Sequence, residues 1–130
     1  MSDFEAFLDG KRREAASAYA RVDASKVLAL STTIGTATFF DPGGRVTSGA
    51  TAVNAANERG AAHFGANGTT ELDVLDSGAE GDLAFWTGYQ IADVEIDGKA
   101  MHMKLRITEV FRRAGDEWKM VHRHASKAAD

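Results

Sequence analysis

This chain of 130 residues has no cysteine and a single proline. Without cysteine there is no disulfide framework, no thiolate zinc site and no cysteine nucleophile. Long apolar runs are missing too. All fall far short of the roughly 18 residues that a membrane span requires, and Met1-Ser-Asp-Phe-Glu lacks the basic start and apolar core of a secretory signal. Nor is there a basic excess: 15 Lys and Arg stand against 19 Asp and Glu, for a net charge of -4, and the two signs are interleaved. The electrostatic footprint of a nucleic-acid binder is therefore absent. The expectation is a soluble, cytoplasmic protein with neither nucleic acid nor membrane as partner.

What is present suffices for one packed domain over residues 1–130, since 44% of the chain is hydrophobic. Phe4, Phe7, Leu8, Ala15, Ala18, Tyr19 and Val22 recur at helical spacing, and Ser2 with Glu5 can form a capping box. Asp23 can cap a shorter helix to about Leu30 that carries Val27, Leu28 and Leu30 inward. Thr36 to Phe40 and Arg45 to Thr47 read as a small hairpin around Asp41-Pro42-Gly43-Gly44. Ser48-Gly49 opens an Ala-rich helix to about Phe64, interrupted in pattern by Gly60.

From Thr69 onward strand follows strand: Thr69 to Ser77, Asp82 to Val94, Lys99 to Arg113 and Glu117 to Ser126. Asp97-Gly98 and Gly115-Asp116 supply tight turns between the last three, and Lys127 to Asp130 read as a frayed end. If the last turn keeps parity, Ile107, Glu109 and Phe111 share a face with Val121, Arg123 and Ala125. A slip of one residue between Ala114 and Glu117 would exchange those faces. Helices first and an antiparallel meander after them indicate an α+β domain.

Val110-Phe-Arg-Arg-Ala-Gly-Asp-Glu-Trp118 followed by Val121-His-Arg-His-Ala-Ser126 resembles the SnoaL-like branch of the nuclear transport factor two-like superfamily, and the association domain of calcium/calmodulin-dependent kinase II. Ala37-Thr-Phe-Phe-Asp-Pro-Gly43, Ser48-Gly49 and Gly81-Asp-Leu-Ala84 support the resemblance. It implies a cone fold: three helices from the N-terminal half on a strongly curved, mostly antiparallel sheet with a central pocket. The superfamily includes isomerases, cyclases, dehydratases and non-catalytic dimerisation or binding modules, so fold alone does not decide function. A homodimer is expected.

The same resemblance nominates residues. Asp41 matches the ketosteroid isomerase segment in which an Asp before Pro moves a proton beside a carbonyl, work suited to a carboxylate with a raised pKa. An Asp before Pro-Gly-Gly is equally a common turn starter. Glu109 aligns with that enzyme's second pocket acid, which donates a hydrogen bond when kept neutral. However, Ala15 stands where the isomerase has its oxyanion Tyr, leaving only Tyr19 to reach in, and Arg123 beside Glu109 would hold the carboxylate ionised. Trp86 and Gln90, on one face of a strand, would line a ligand cavity, or Trp86 would fill the core; Gly88 between them would leave room at the cavity centre or mark a strand bend.

His122 and His124 form a His-x-His pair without an evident third ligand, since His102 and His63 lie elsewhere, so no metal site is expected. Ser126 beside these histidines gives no basis for a nucleophile without geometry. The pocket arginines of the kinase association domain map onto Gln90, Glu109 and Ala125, so Arg123 is the only positive group expected inside. The functional expectation is a pocket for a small hydrophobic or carbonyl-containing molecule, with no cofactor. It would act as an isomerase, cyclase or dehydratase by proton transfer, or alternatively as a non-catalytic binding or dimerisation module.

Overall fold

The computed structural model describes residues 2–129; Met1 and Asp130 lie outside the described residues. Helix α1 is continuous through three segments, Asp3–Phe7, a π-helical turn Leu8–Arg12, and Arg13–Tyr19. Its start is the expected capping box, with Ser2 Oγ accepting from Glu5 N at 3.1 Å and Glu5 Oε1 accepting from Ser2 N at 3.2 Å. Its end corrects the sequence expectation for Val22. Val22 does not extend the buried stripe. It takes φ 70° and is 46% exposed, because Asp23 N bonds back to Ala18 O and Val22 N to Tyr19 O in a Schellman closure.

Helix α2, Ser25–Leu30, follows at once, with Asp23 Oδ1 accepting from Ser25 N at 2.9 Å. It buries Val27 and Leu30, while Leu28 stays half-buried. Helix α3 is Ala50–Ala61 and stops short of Phe64, which bridges to Ile96 instead. Gly60, the residue that interrupts the helical pattern, has a structural use: a Cβ there would lie 2.4 Å from the Tyr19 hydroxyl. The missing side chain seats that phenol against α3.

Six strands follow the expected plan: β1 Thr38–Phe40, β2 Val46–Ser48, β3 Thr69–Glu80, β4 Leu83–Ile96, β5 Lys99–Ala114 and β6 Glu117–Lys127. They form one open sheet in the order β2-β1-β6-β5-β4-β3, antiparallel throughout except that β1 runs parallel to β6. Asp97 and Gly98 both have positive φ, as a two-residue turn matched to the twist of β4 and β5 requires. Lys127 and Ala128 are held rather than frayed: Lys127 belongs to β6, and buried Ala128 donates its N–H to Lys104 O at 3.0 Å.

Two bulges bend this sheet into a cone wall. In β3 the register shifts between Val74 and Asp76, opposite Gly88. In β6 it shifts so that Val110 pairs with His122 but Phe111 pairs with Met120, leaving Val121 as the extra residue. Parity is therefore not kept along the last ribbon. Trp118 and Met120 are the buried residues near the turn, and beyond Val121 the inward row passes to Arg123 and Ala125. Val121 is not the partner of Phe111.

Helix α1 closes one end of the cone with aromatic packing. Phe4 lies 5.4 Å from both Phe111 and Trp118, and Phe7 meets Phe111 edge-on at 5.2 Å. Such pairs contribute about 0.5–1.5 kcal/mol each beyond area burial. They also fix α1 in rotation, which sets where Arg12 goes.

Candidate functional site

Glu109 sits in the middle of β5, fully buried, between Ile107 and Phe111 on the inward row. Its neighbours across the sheet are Trp86 on β4 and Arg123 on β6, and Arg123 is in turn paired with Phe39. Above this row stands Arg12, whose Nε and Nη2 donate to Oε1 and Oε2 of Glu109, each at 2.8 Å. Trp86 Nε1 donates to Oε1 at 2.7 Å, and Arg123 Nη1 donates to Oε2. Arg123 Nη2 reaches Gln90 Oε1 at 2.6 Å, and Gln90 Nε2 reaches Thr70 Oγ1 at 3.3 Å.

The π turn helps to place Arg12. An α-helix that accommodates an extra residue shifts the face that follows it, and such turns recur at functional sites. Here the inward line passes from Phe4 and Leu8 through Arg12 to Ala15 and Ala16, so a guanidinium occupies a core position that is only 3% exposed.

Burial by itself would raise the Glu109 pKa. The charge and hydrogen bonds of Arg12, the charge of Arg123 and the Trp86 donor outweigh it and hold the carboxyl at about 2. Glu109 is thus ionised at neutral pH, with no proton to donate. Burial lowers the Arg123 pKa and Glu109 opposes this, yet a guanidinium remains charged in proteins.

Next to this cluster lies a cavity of about 250 Å³. Tyr19, Gln90 and Arg123 line it together with Arg12, and most of the rest of the wall is apolar, including Val53, Phe64, Ala92, Met103, Leu105 and Met120. The Tyr19 hydroxyl donates to Asn57 O at 2.9 Å, and burial raises its pKa, so the phenol is neutral. Among the described residues, no carboxylate lines the cavity.

The nominated residues therefore fall into three places. Tyr19, Gln90 and Arg123 are on the cavity wall; Trp86 and Glu109 lie behind it as the buried support of Arg12 and Arg123. Asp41 is apart from both. Its Oδ1 accepts from Gly43 N at 2.9 Å and Arg45 N at 3.0 Å, which is the turn-starting geometry, although the adjacent Pro42 does reach the wall.

Gly88 does not open space at the cavity centre: a Cβ there would stand 2.0 Å from Asp73 O, so its role is to let β3 approach at the bulge. His122 borders the cavity with Nδ1 2.7 Å from Thr38 Oγ1, and burial lowers its pKa, leaving it neutral at pH 7. Phe40 packs edge-on against both His122 and His124.

Arg12 overturns the expectation of a single internal cation. Its signal was available in the sequence, four residues after Leu8 and three before Ala15, on the stripe that the helix buries.

The model of the SnoaL-like domain matches residues 13–130. The chain belongs to this family. The match begins one residue after Arg12, so the clamp on Glu109 is anchored just outside it. No curated protein matches the sequence. Among solved structures, the SnoaL-like domain is similar to a candidate dehydratase of the nuclear transport factor two-like family from Streptomyces avermitilis, with 23% identity and a TM-score of 0.77 over 97% of this chain and 94% of that one. A superfamily protein from Salmonella enterica gives 17% identity and 0.79 over 97% and 91%. A candidate ketosteroid isomerase from Parabacteroides distasonis gives 21% and 0.67 over 93% and 85%. At these identities the likeness establishes the fold: an α+β cone with an open, mixed sheet.

Proposed function

We propose that this SnoaL-like domain binds a small, largely apolar molecule through one polarised oxygen that faces Arg12, Arg123 and Gln90. One observation carries the proposal: a mostly apolar cavity wall on which the guanidinium pair of Arg12 and Arg123 stands with Gln90 and a few other neutral polar groups, and no carboxylate among the described residues. Pockets of this kind use apolar area for affinity and a few fixed donors for orientation. Glu109 acts here as the fixed support that holds both guanidinium groups in place, and Trp86 holds Glu109.

The test is calorimetric titration with apolar ketones and carboxylates, using the wild type and Val53→Trp, which fills the cavity from a half-buried position on α3. Saturable binding that disappears in Val53→Trp, with an unchanged melting temperature, supports the proposal. Binding that survives the block places the ligand elsewhere and rejects it.

A catalytic form of the same proposal is proton transfer beside the bound carbonyl, as an isomerase, cyclase or dehydratase performs. It draws support from Asp41 standing next to Pro42 on the wall. Turnover of a bound ketone that falls in Asp41→Asn while affinity persists would support that role; equal turnover removes Asp41 as the base.

The expected homodimer is part of the proposal as well. Phe85, paired with Val110 across β4 and β5, and Phe40 at the far side of the sheet are partly exposed apolar side chains suited to a second copy. Sedimentation of Phe85→Lys should show monomer where the wild type is dimeric.

A further inference from the structure

We infer that the occupant of this cavity is a monocarboxylate with an apolar body rather than a neutral ketone, an inference that rests on the cavity being a ligand site. Two guanidinium groups face one carboxylate in the cluster, so it carries a net positive charge. Glu109 has no capacity left to balance it. Its Oε1 accepts from Arg12 Nε and Trp86 Nε1, and its Oε2 from Arg12 Nη2 and Arg123 Nη1. Gln90 engages Arg123 through a neutral amide, which supplies an acceptor but no charge. Neutral Tyr19 and His122 add none either.

A second observation points the same way. Arg12 lines the cavity, is buried, and its Nη1 has no hydrogen-bond partner. A charged donor left buried without an acceptor is among the more costly arrangements in a protein interior. A carboxylate answers both deficits, because its oxygens accept from a guanidinium in a charge-assisted geometry and its single charge neutralises the cluster. A ketone would meet the donor and leave the charge. A phosphate dianion would overshoot the charge, and its hydrated oxygens would meet the apolar wall made by Phe64, Met103 and Leu105. The cavity of about 250 Å³ limits the apolar body to a small ring or a short chain.

The experiment titrates the full chain with matched sets of carboxylate, primary amide and methyl ketone on phenyl, cyclohexyl and hexyl skeletons. The carboxylate of at least one skeleton should bind tenfold or more tightly than its amide and ketone. Gln90→Glu should remove that preference by placing an anion beside Arg123, and should melt at a higher temperature than the wild type without ligand. Ketones or amides that bind as tightly as carboxylates overturn the inference while leaving the ligand site standing. Failure of every compound to bind rejects the ligand site itself. A lower melting temperature for Gln90→Glu, with the carboxylate preference kept, shows that the cluster is not short of negative charge and overturns the inference independently.

Discussion

Arg12 and Glu109, 97 residues apart, meet in a two-point clamp in which each carboxylate oxygen accepts one guanidinium N–H at 2.8 Å. The clamp joins the first helix to the centre of the sheet inside the core, where both side chains are buried. Removing one partner of such a pair leaves a buried charge, which typically costs about 3–5 kcal/mol. Glu109→Gln and Arg12→Met are each expected to lose stability in that range in urea unfolding. The double variant Arg12→Met/Glu109→Leu should lose less than the two singles together, because it removes both charges of the clamp at once.

The same cluster sets the acid limit of the fold. The folded-state pKa of Glu109 is about 2, below its ordinary 4.5. A carboxylate with a depressed folded pKa binds its proton more readily in the unfolded chain, so its stabilisation is complete above 4.5 and is lost as the pH falls through about 2. Melting temperatures measured from pH 7 down to 2 should be level at first and then fall steeply within that window. Glu109→Gln should show a much shallower fall there. The residual slope would come from Glu5, Asp23 and Glu117, whose pKa values are also lowered but which are exposed and contribute little.

How far the sequence exposes this architecture depends on the kind of signal. Alternation and the turns at Asp97-Gly98 and Gly115-Asp116 mark the long strands to within a few residues, because pleat and turn geometry are local. The extra residue at Val121 leaves no such mark: an inserted position inside an alternating run reads as continued alternation, and only the paired strand reveals the shift. The Glu109–Arg123 pair is visible because both lie on one ribbon. Arg12 escaped because a charged residue on a helix is ordinarily assigned to the solvated face, and the carboxylate that makes its burial possible is far away in sequence. Asp41 is legible in the sequence as a turn starter or a candidate base, and local chemistry alone does not choose between the two.

Gly60→Ala separates helix propensity from tertiary contact. In an exposed helix interior the change would stabilise by about 1 kcal/mol. Here the new Cβ would lie 2.4 Å from the Tyr19 hydroxyl, which bonds to Asn57 O and borders the cavity. The phenol is the end of a rigid ring packed on Phe64 at 5.5 Å, so it cannot swing aside without disturbing that contact. A lower melting temperature is expected, along with weaker ligand binding. Gly60→Ala in a Tyr19→Ala background should recover the melting temperature lost to the clash, because the side chain it strikes is then absent.

Gly88→Ala should be more damaging than Gly60→Ala, and for a different reason. The added Cβ would stand 2.0 Å from Asp73 O and 2.9 Å from Leu75 N, both backbone atoms of β3, so no side chain can rotate away. Relief requires β3 to move off β4 at the bulge, and that displacement would reach Gln90, two residues along β4, and Trp86, two residues before Gly88. Those residues hold Arg123 and Glu109. The variant should therefore lose stability by more than the roughly 1 kcal/mol typical of a point substitution, and in whatever fraction still folds the steep acid transition of Glu109 should move toward 4.5 as its partners loosen. A folded Gly88→Ala protein with the wild-type acid midpoint would show that the bulge and the buried cluster are mechanically independent.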